Sequence, residues 1–291
     1  MKTTSARHSR PKATIAAAAT RFPAAILAAI LLAFATSPAS AECGPAAAEV
    51  DARCYPGNLQ AAVNAAISTD RPLVMPHGTY QGPIVIDYTP RAGTGFELIS
   101  RGATIQGTLT IQCEGSCFYF HQEGTLFVSA DTNGYAVVIG KPDFSDAQNS
   151  IKIDHLIVNN GNQGAGSGGV QLNYVLGSDL FIVADSAGGA AGPDLRQLQF
   201  STLKGAGSAA SGYAAAIEDG YVIADSLQSL DLEASQSCLL MTSPHAASNV
   251  WLNVYEDCPV EGLLSRSALT GNSGMGGVVG GNVLVPYRMT N

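Results

Sequence analysis

The sequence predicts an all-β solenoid of short stacked coils, and three observations lead there. From Phe96 onward, short apolar strands alternate with turns rich in Gly, Asn, Asp and Ser. Similar blocks recur, beginning at Asn149 (Asn-Ser-Ile-Lys-Ile-Asp), Ser178, Gln228 and Ser248, at spacings of 29, 50 and 20 residues, the 50 being read as two coils. No helix of convincing length follows residue 70. A repeat of this period without helices is the mark of a solenoid whose units bury their apolar faces only by stacking. A β-sandwich is the alternative, but its strands are longer and its hairpin turns of the Asn-Gly kind are few here.

The elements follow in chain order. Residues 1–41 carry five bases (Lys2, Arg7, Arg10, Lys12, Arg21) and no acid, then an apolar run from Ala24 to Ala35 and Ser37-Pro38-Ala39-Ser40-Ala41. That pattern predicts a signal peptide cleaved before Glu42; its apolar run is too short for the roughly 20 residues a bilayer span needs. Residues 42–57 form a cysteine-bearing N-terminal segment, and 58–291 the solenoid domain with its cap. Asn58 is a good N-cap for a helix with Leu59, Val63 and Ile67 spaced by four, ending near Asp70. Leu73-Val74-Met75 and Ile84-Val85-Ile86 read as strands. Beyond them come strands near 96–99, 109–111, 125–128, 136–139, 151–158, 170–172, 180–183, 198–200, 221–224, 230–232 and 250–254.

Charge narrows the partners. The 291 residues are 46% hydrophobic but 13% charged, against about a quarter in an ordinary domain, so the surface relies on uncharged polar groups. Removing the leader leaves 10 bases against 23 acids, taking the net charge from −8 to −13. An acid excess disfavours nucleic acid, which demands a Lys/Arg footprint. No stable membrane insertion is expected after processing. All six cysteines lie beyond the cleavage site, and an even count in an exported chain predicts disulfides. Clustering favours Cys43–Cys54, Cys113–Cys117 and Cys238–Cys258. Cys113, Cys117 and His121 also have zinc-like spacing, but Thr108–Ile111 reads as a strand rather than the helix such a site needs.

The segment Asn58-Leu59-Gln60-Ala61-Ala62-Val63-Asn64-Ala65-Ala66-Ile67, with Leu73-Val74-Met75-Pro76-His77-Gly78-Thr79-Tyr80, resembles the opening of the pectate-lyase-like superfamily. The resemblance implies a right-handed parallel β-helix whose short N-terminal helix caps the first coil, hiding a backbone edge that would otherwise pair with another chain. The close likeness spans about 30 residues and bears on fold rather than reaction.

In that superfamily the substrate lies along one sheet and reacting residues come from successive coils. Asp194, the pair Glu218-Asp219, and His245 recur at intervals of 25 and 26 residues. Ile217-Glu218-Asp219-Gly220-Tyr221 is similar to the paired-carboxylate strand of polygalacturonase-type glycoside hydrolases. The resemblance implies acid/base work by Asp194, Glu218 and Asp219 with His245 as helper, one carboxyl protonating the leaving oxygen while another activates water. Gly192-Pro193-Asp194 departs from that family's Asn-Thr-Asp, and its Arg-x-Lys is missing, with Arg266 alone nearby. Arg196, Arg266 and Tyr221 are the expected substrate-binding residues.

Other constellations are weaker. Alternation places Lys152 and Asp154 on one face and His155 opposite, a surface ion pair or a lyase-like base beside a cation. Asp131-Thr132-Asn133-Gly134 starts like a calcium loop but lacks later ligands. The Gly161–Gly169 run precedes a strand, which excludes a phosphate loop. No Gly-x-Ser-x-Gly elbow occurs, and neither cofactor nor metal is expected. Tyr119, Tyr135, Tyr174, Tyr213, Tyr221 and Tyr255 offer rings either for sugar stacking or for a buried ladder. The sequence therefore predicts a secreted or periplasmic protein acting on a neutral or weakly charged glycan by hydrolysis, with a non-catalytic glycan-binding or adhesive protein, or a lyase, as alternatives. Oligomeric state is left open.

Overall fold

Six successive coils, from Phe96 to Ala247, each cross three sheets in turn, and every pairing between described strands is parallel. The computed structural model describes residues 43–289 except 45, 219, 235–236, 244, 253–254, 259–260, 266–272, 276–277 and 280–284; beyond Val250, side chains are described only at Leu252 and Cys258. The expected leader, Asp219 and Arg266 lie outside the described residues. Among the described residues a long sheet of 13 strands, a second of nine and a third of six make up a parallel β-helix with one α-helix. Asp179 pairs with Thr202 and Thr202 with Ser226, giving coils of 23 and 24 residues; the longest, from Val137 to Val170, has 33.

Stacking puts like residues above like inside the coil. Leu126, Leu156 and Ile182 align on the long sheet, Ile111, Ile139, Leu172, Leu195 and Ile217 on the second, and Val175, Leu198 and Val222 on the third. All are buried. Phe96 and Phe120 stack with centroids 6.1 Å apart. The interior is thus filled by side chains, and any site must lie outside.

Helix α1 (Leu59–Thr69) begins where Asn58 accepts a hydrogen bond from the Ala61 N–H at 3.0 Å and ends at Asp70 in the left-handed region. It buries Leu59, Ala62, Val63 and Ala66 against the first coil. Gln60 closes the second sheet: its amide donates to the Val85 carbonyl and accepts from the Val85 N–H, both at 2.8 Å, as a neighbouring strand would. The edge of strand Ile84–Asp87 is covered in this way.

All three expected disulfides form, Cys43–Cys54, Cys113–Cys117 and Cys238–Cys258, so Cys113 and Cys117 leave no zinc site with His121. Among the described residues no helix is long and apolar enough to cross a membrane.

The recurrent blocks are offset from the true register. Lys152 pairs with Asp179 and Ser226 with Val250, so the blocks at Asn149 and Ser178 slip by two residues and those at Gln228 and Ser248 by four. Even slips keep the same residues inside, because side chains alternate with period two. The expected face of His155 is corrected: a bulge after Ile153 shifts the phase, and His155 turns outward to meet the Phe181 ring at 4.3 Å. Strand Thr202–Ala209 escapes the sequence reading because its Gly, Ala and Ser resemble a turn.

The corner from the third sheet to the long sheet is a polar ladder. Gly177, Phe200, Ala224 and Ser248 all have positive φ. Each following residue, Ser178, Ser201, Asp225 and Asn249, accepts the N–H of its counterpart one coil earlier, at 2.8–3.1 Å. These side chains satisfy backbone donors that the corner takes out of the sheet ladder. Burial pushes the Asp225 carboxyl up to about 7, and its Oδ2 is buried without a partner. A folded pKa above the ordinary 3.8 means the native state holds the proton more tightly. Stability from this group is therefore greatest below pH 4, falls as pH rises to about 7, and then levels off, a total of about 4 kcal/mol. Asp225→Asn, which copies Asn249, is expected to remove that slope and raise stability above pH 7. Urea unfolding at pH 5 and pH 8 checks this; identical pH profiles for the two proteins would exclude it.

Candidate functional site

Outward positions of the second sheet hold an unusual buried polar chain. Gln171 and Asp194 occupy one column in adjacent strands, followed by Ala216. Asn173 Nδ2 donates to Gln171 Oε1 at 3.2 Å, and Gln171 Nε2 to Asp194 Oδ2 at 3.3 Å. The same oxygen accepts from Tyr135 OH at 2.8 Å and from Arg196 Nε at 2.9 Å. Asp194 is fully buried; its Oδ1 has no hydrogen-bond partner. Burial raises its pKa, opposed by the Arg196 and Tyr135 hydrogen bonds. Tyr135 is likewise held above the ordinary phenol value by burial, then by Asp194 and Glu218, so it stays a proton donor.

Above this chain opens a cleft of ≈ 280 Å³, whose polar walls are Arg196, Glu218, Tyr135 and Tyr213 over a floor that includes Ala191 and Ala216. Register explains the meeting. Leu195 pairs with Ile217, so the next residues, Arg196 and Glu218, stand at equivalent points of neighbouring coils, about 4.8 Å apart along the axis. Tyr135 reaches Asp194 because Gly168 lies between them; a Cβ there would overlap the Tyr135 ring.

The predicted constellation is therefore divided. Asp194, Arg196 and Glu218 come together, whereas Tyr221 and His245 lie on the third sheet, their rings stacked at 4.3 Å and 12°. Asp219 and Arg266 fall outside the described residues. Asp194 lies beneath the cleft rather than in its wall, which suits it to position Arg196 and Tyr135, not to exchange protons with a substrate. Inverting and retaining glycosidases both need two carboxyls flanking the bond; among the residues described here, Glu218 is the carboxylate in the wall. Tyr135 and Tyr213 belong to the ring set visible in the sequence, but nothing in spacing assigns them to this cleft. Lys152 forms its own surface cluster on the long sheet, 3.0 Å from Asp154 and 3.3 Å from His121.

The chain matches no protein-family model, no curated protein and no solved structure.

Asp194→Ala would leave Tyr135 OH, Gln171 Nε2 and Arg196 Nε without their acceptor. A loss of about 3 kcal/mol in denaturant unfolding is expected, with Asp194→Asn milder because an amide oxygen remains. Equal, negligible losses in both variants would show that the buried chain holds nothing in place.

Proposed function

We propose that this is an exported, disulfide-stabilised β-helix protein that binds a neutral or weakly charged saccharide in the second-sheet cleft without cleaving it. Export is supported by the leader-like segment and three disulfides. The observation that carries the binding reading is the division of the acids: Glu218 faces the cleft while Asp194 is spent beneath it on Arg196 and Tyr135. Arginine, carboxylate and phenol give hydroxyl partners of both kinds, and the Tyr213 ring gives an apolar face. The volume falls just below the roughly 300 Å³ at which small-molecule pockets begin, which suits one or two sugar rings. Positive charge on Arg196 is offset by Asp194 at 2.9 Å and by Glu218 in the same wall, so little field is left to hold a polyuronide.

Titration calorimetry with neutral mono- and disaccharides tests the reading. Glu218→Gln and Tyr213→Ala should each weaken binding about tenfold, near 1.4 kcal/mol, with no reducing ends released by the wild type. Unchanged affinity in both variants would remove the cleft from the function. Reducing ends that appear with wild type and vanish in Glu218→Gln would instead favour hydrolysis.

A further inference from the structure

The third sheet offers a second surface, remote in kind from the cleft. Its strands are only two or three residues long, and one outward row runs in register from Phe118 through Asn149 and Gln199 to Ala247. A parallel row starts at Ser116 and ends at Tyr221 and His245; a third, the positive-φ corner, runs from Tyr119 through Phe200 to Ser248. None of the three rows contains Asp, Glu, Lys or Arg. Among the described residues the exposed large apolar side chains are Val85, Phe118, Tyr119, Phe200 and Tyr221, so four of the five stand on this face or its corner. Phe200 and Tyr119 are the most open, at 68% and 62%. Tyr221 and His245, on adjacent coils, stack face to face at 4.3 Å and 12°, so the pair turns ring edges and the outer faces of the stack to its surroundings.

From this arrangement we infer that the third sheet is a docking strip for a single linear, uncharged polysaccharide chain lying along the solenoid axis. Size argues for that occupant. Five strand spacings and three residue rises give a strip of roughly 24 by 10 Å, about 240 Å², whereas a stable protein partner covers about 800 Å² on each side. Chemistry agrees. Exposed aromatic side chains toward both ends of the strip suit the apolar faces of sugar rings, while Asn149 Oδ1 and the Gln199 amide between them suit hydroxyls. The absence of charge across a face of a protein of net charge −8 argues against an ionic polymer as the intended ligand. This inference is independent of the cleft and stands whether or not the cleft binds a saccharide.

Affinity electrophoresis and calorimetry with cellohexaose and mannohexaose, polygalacturonate serving as the anionic control, provide the test. Affinity should rise from the disaccharide to the hexasaccharide, which a cleft for one or two rings would not require. It should also persist between low and high salt. Phe200→Ala and Tyr221→Ala should each weaken hexasaccharide binding about tenfold, Tyr221→Phe should retain it, and Lys204→Ala, on the long sheet, should leave it unchanged. Because these side chains are exposed, melting temperatures should match the wild type. The proposal is overturned if neither neutral hexasaccharide binds, if polygalacturonate binds in their place, or if Phe200→Ala and Tyr221→Ala bind like the wild type. It also fails if sedimentation shows a dimer that those substitutions dissolve.

Discussion

Everything in this molecule hangs on a backbone ladder running parallel to the solenoid axis. Each coil supplies hydrogen-bond partners to the next, so no coil is complete alone and the terminal one carries an open edge. Gln60 meets that constraint at the first strand of the second sheet, where its amide stands in for a missing strand at Val85. The helix around it matters less for its own hydrogen bonds than for placing this one amide and an apolar stripe over the first coil. An Ala-rich helix suits the task, since Ala62 and Ala66 let it lie close to the strands below.

The same ladder dictates where function sits. Close stacking fills the interior with Leu, Ile and Val columns, and coil corners must find partners for displaced backbone groups. Side chains at the corner from the third sheet to the long sheet do that work, which explains why Ser178, Ser201, Asp225 and Asn249 are buried polar residues without being a site. The outer faces remain. On the second sheet a buried chain from Asn173 to Tyr135 fixes an arginine beside a glutamate. The third sheet carries no ions at all.

The fold was legible because its signals are local and of period two. Inward residues declare themselves by alternation, and register slips of two or four residues, as between the Gln228 and Ser248 blocks, do not disturb that alternation. Cysteine pairing was legible for a related reason: coil geometry brings residues near in sequence back together at the ends of short segments. The site was legible only in part. One-coil spacing located Asp194 and Glu218, yet spacing counts residues and not sheets. His245 satisfies the interval and still lies on another face, paired in register with Tyr221 rather than with Ala216 or Glu218. Tyr135 is bonded to Asp194 across 59 residues through a gap left by Gly168, a contact that depends on three-dimensional stacking. The bulge after Ile153 defeats the reading of His155 for a comparable reason, since a single extra residue inverts every later position.

Charge then ties the surfaces to one another. At 13% charged residues the protein has few ions to place, and their placement is uneven. The long sheet gathers a row in which Glu97, His121, Lys152 and Asp179 succeed one another in register, with Lys204 bonded to Asp179 at 3.3 Å. Ions of opposite sign placed side by side cancel, so that face projects little field despite its content. In the second-sheet cleft Arg196 is cancelled by the acids around it. The third sheet has nothing to cancel. The net acid excess is therefore carried by scattered surface residues and not by a recognition surface. Any ligand held by these two surfaces would be read through shape, ring contacts and hydrogen bonds to uncharged groups rather than through a net field, and that is the ground on which an uncharged saccharide is proposed.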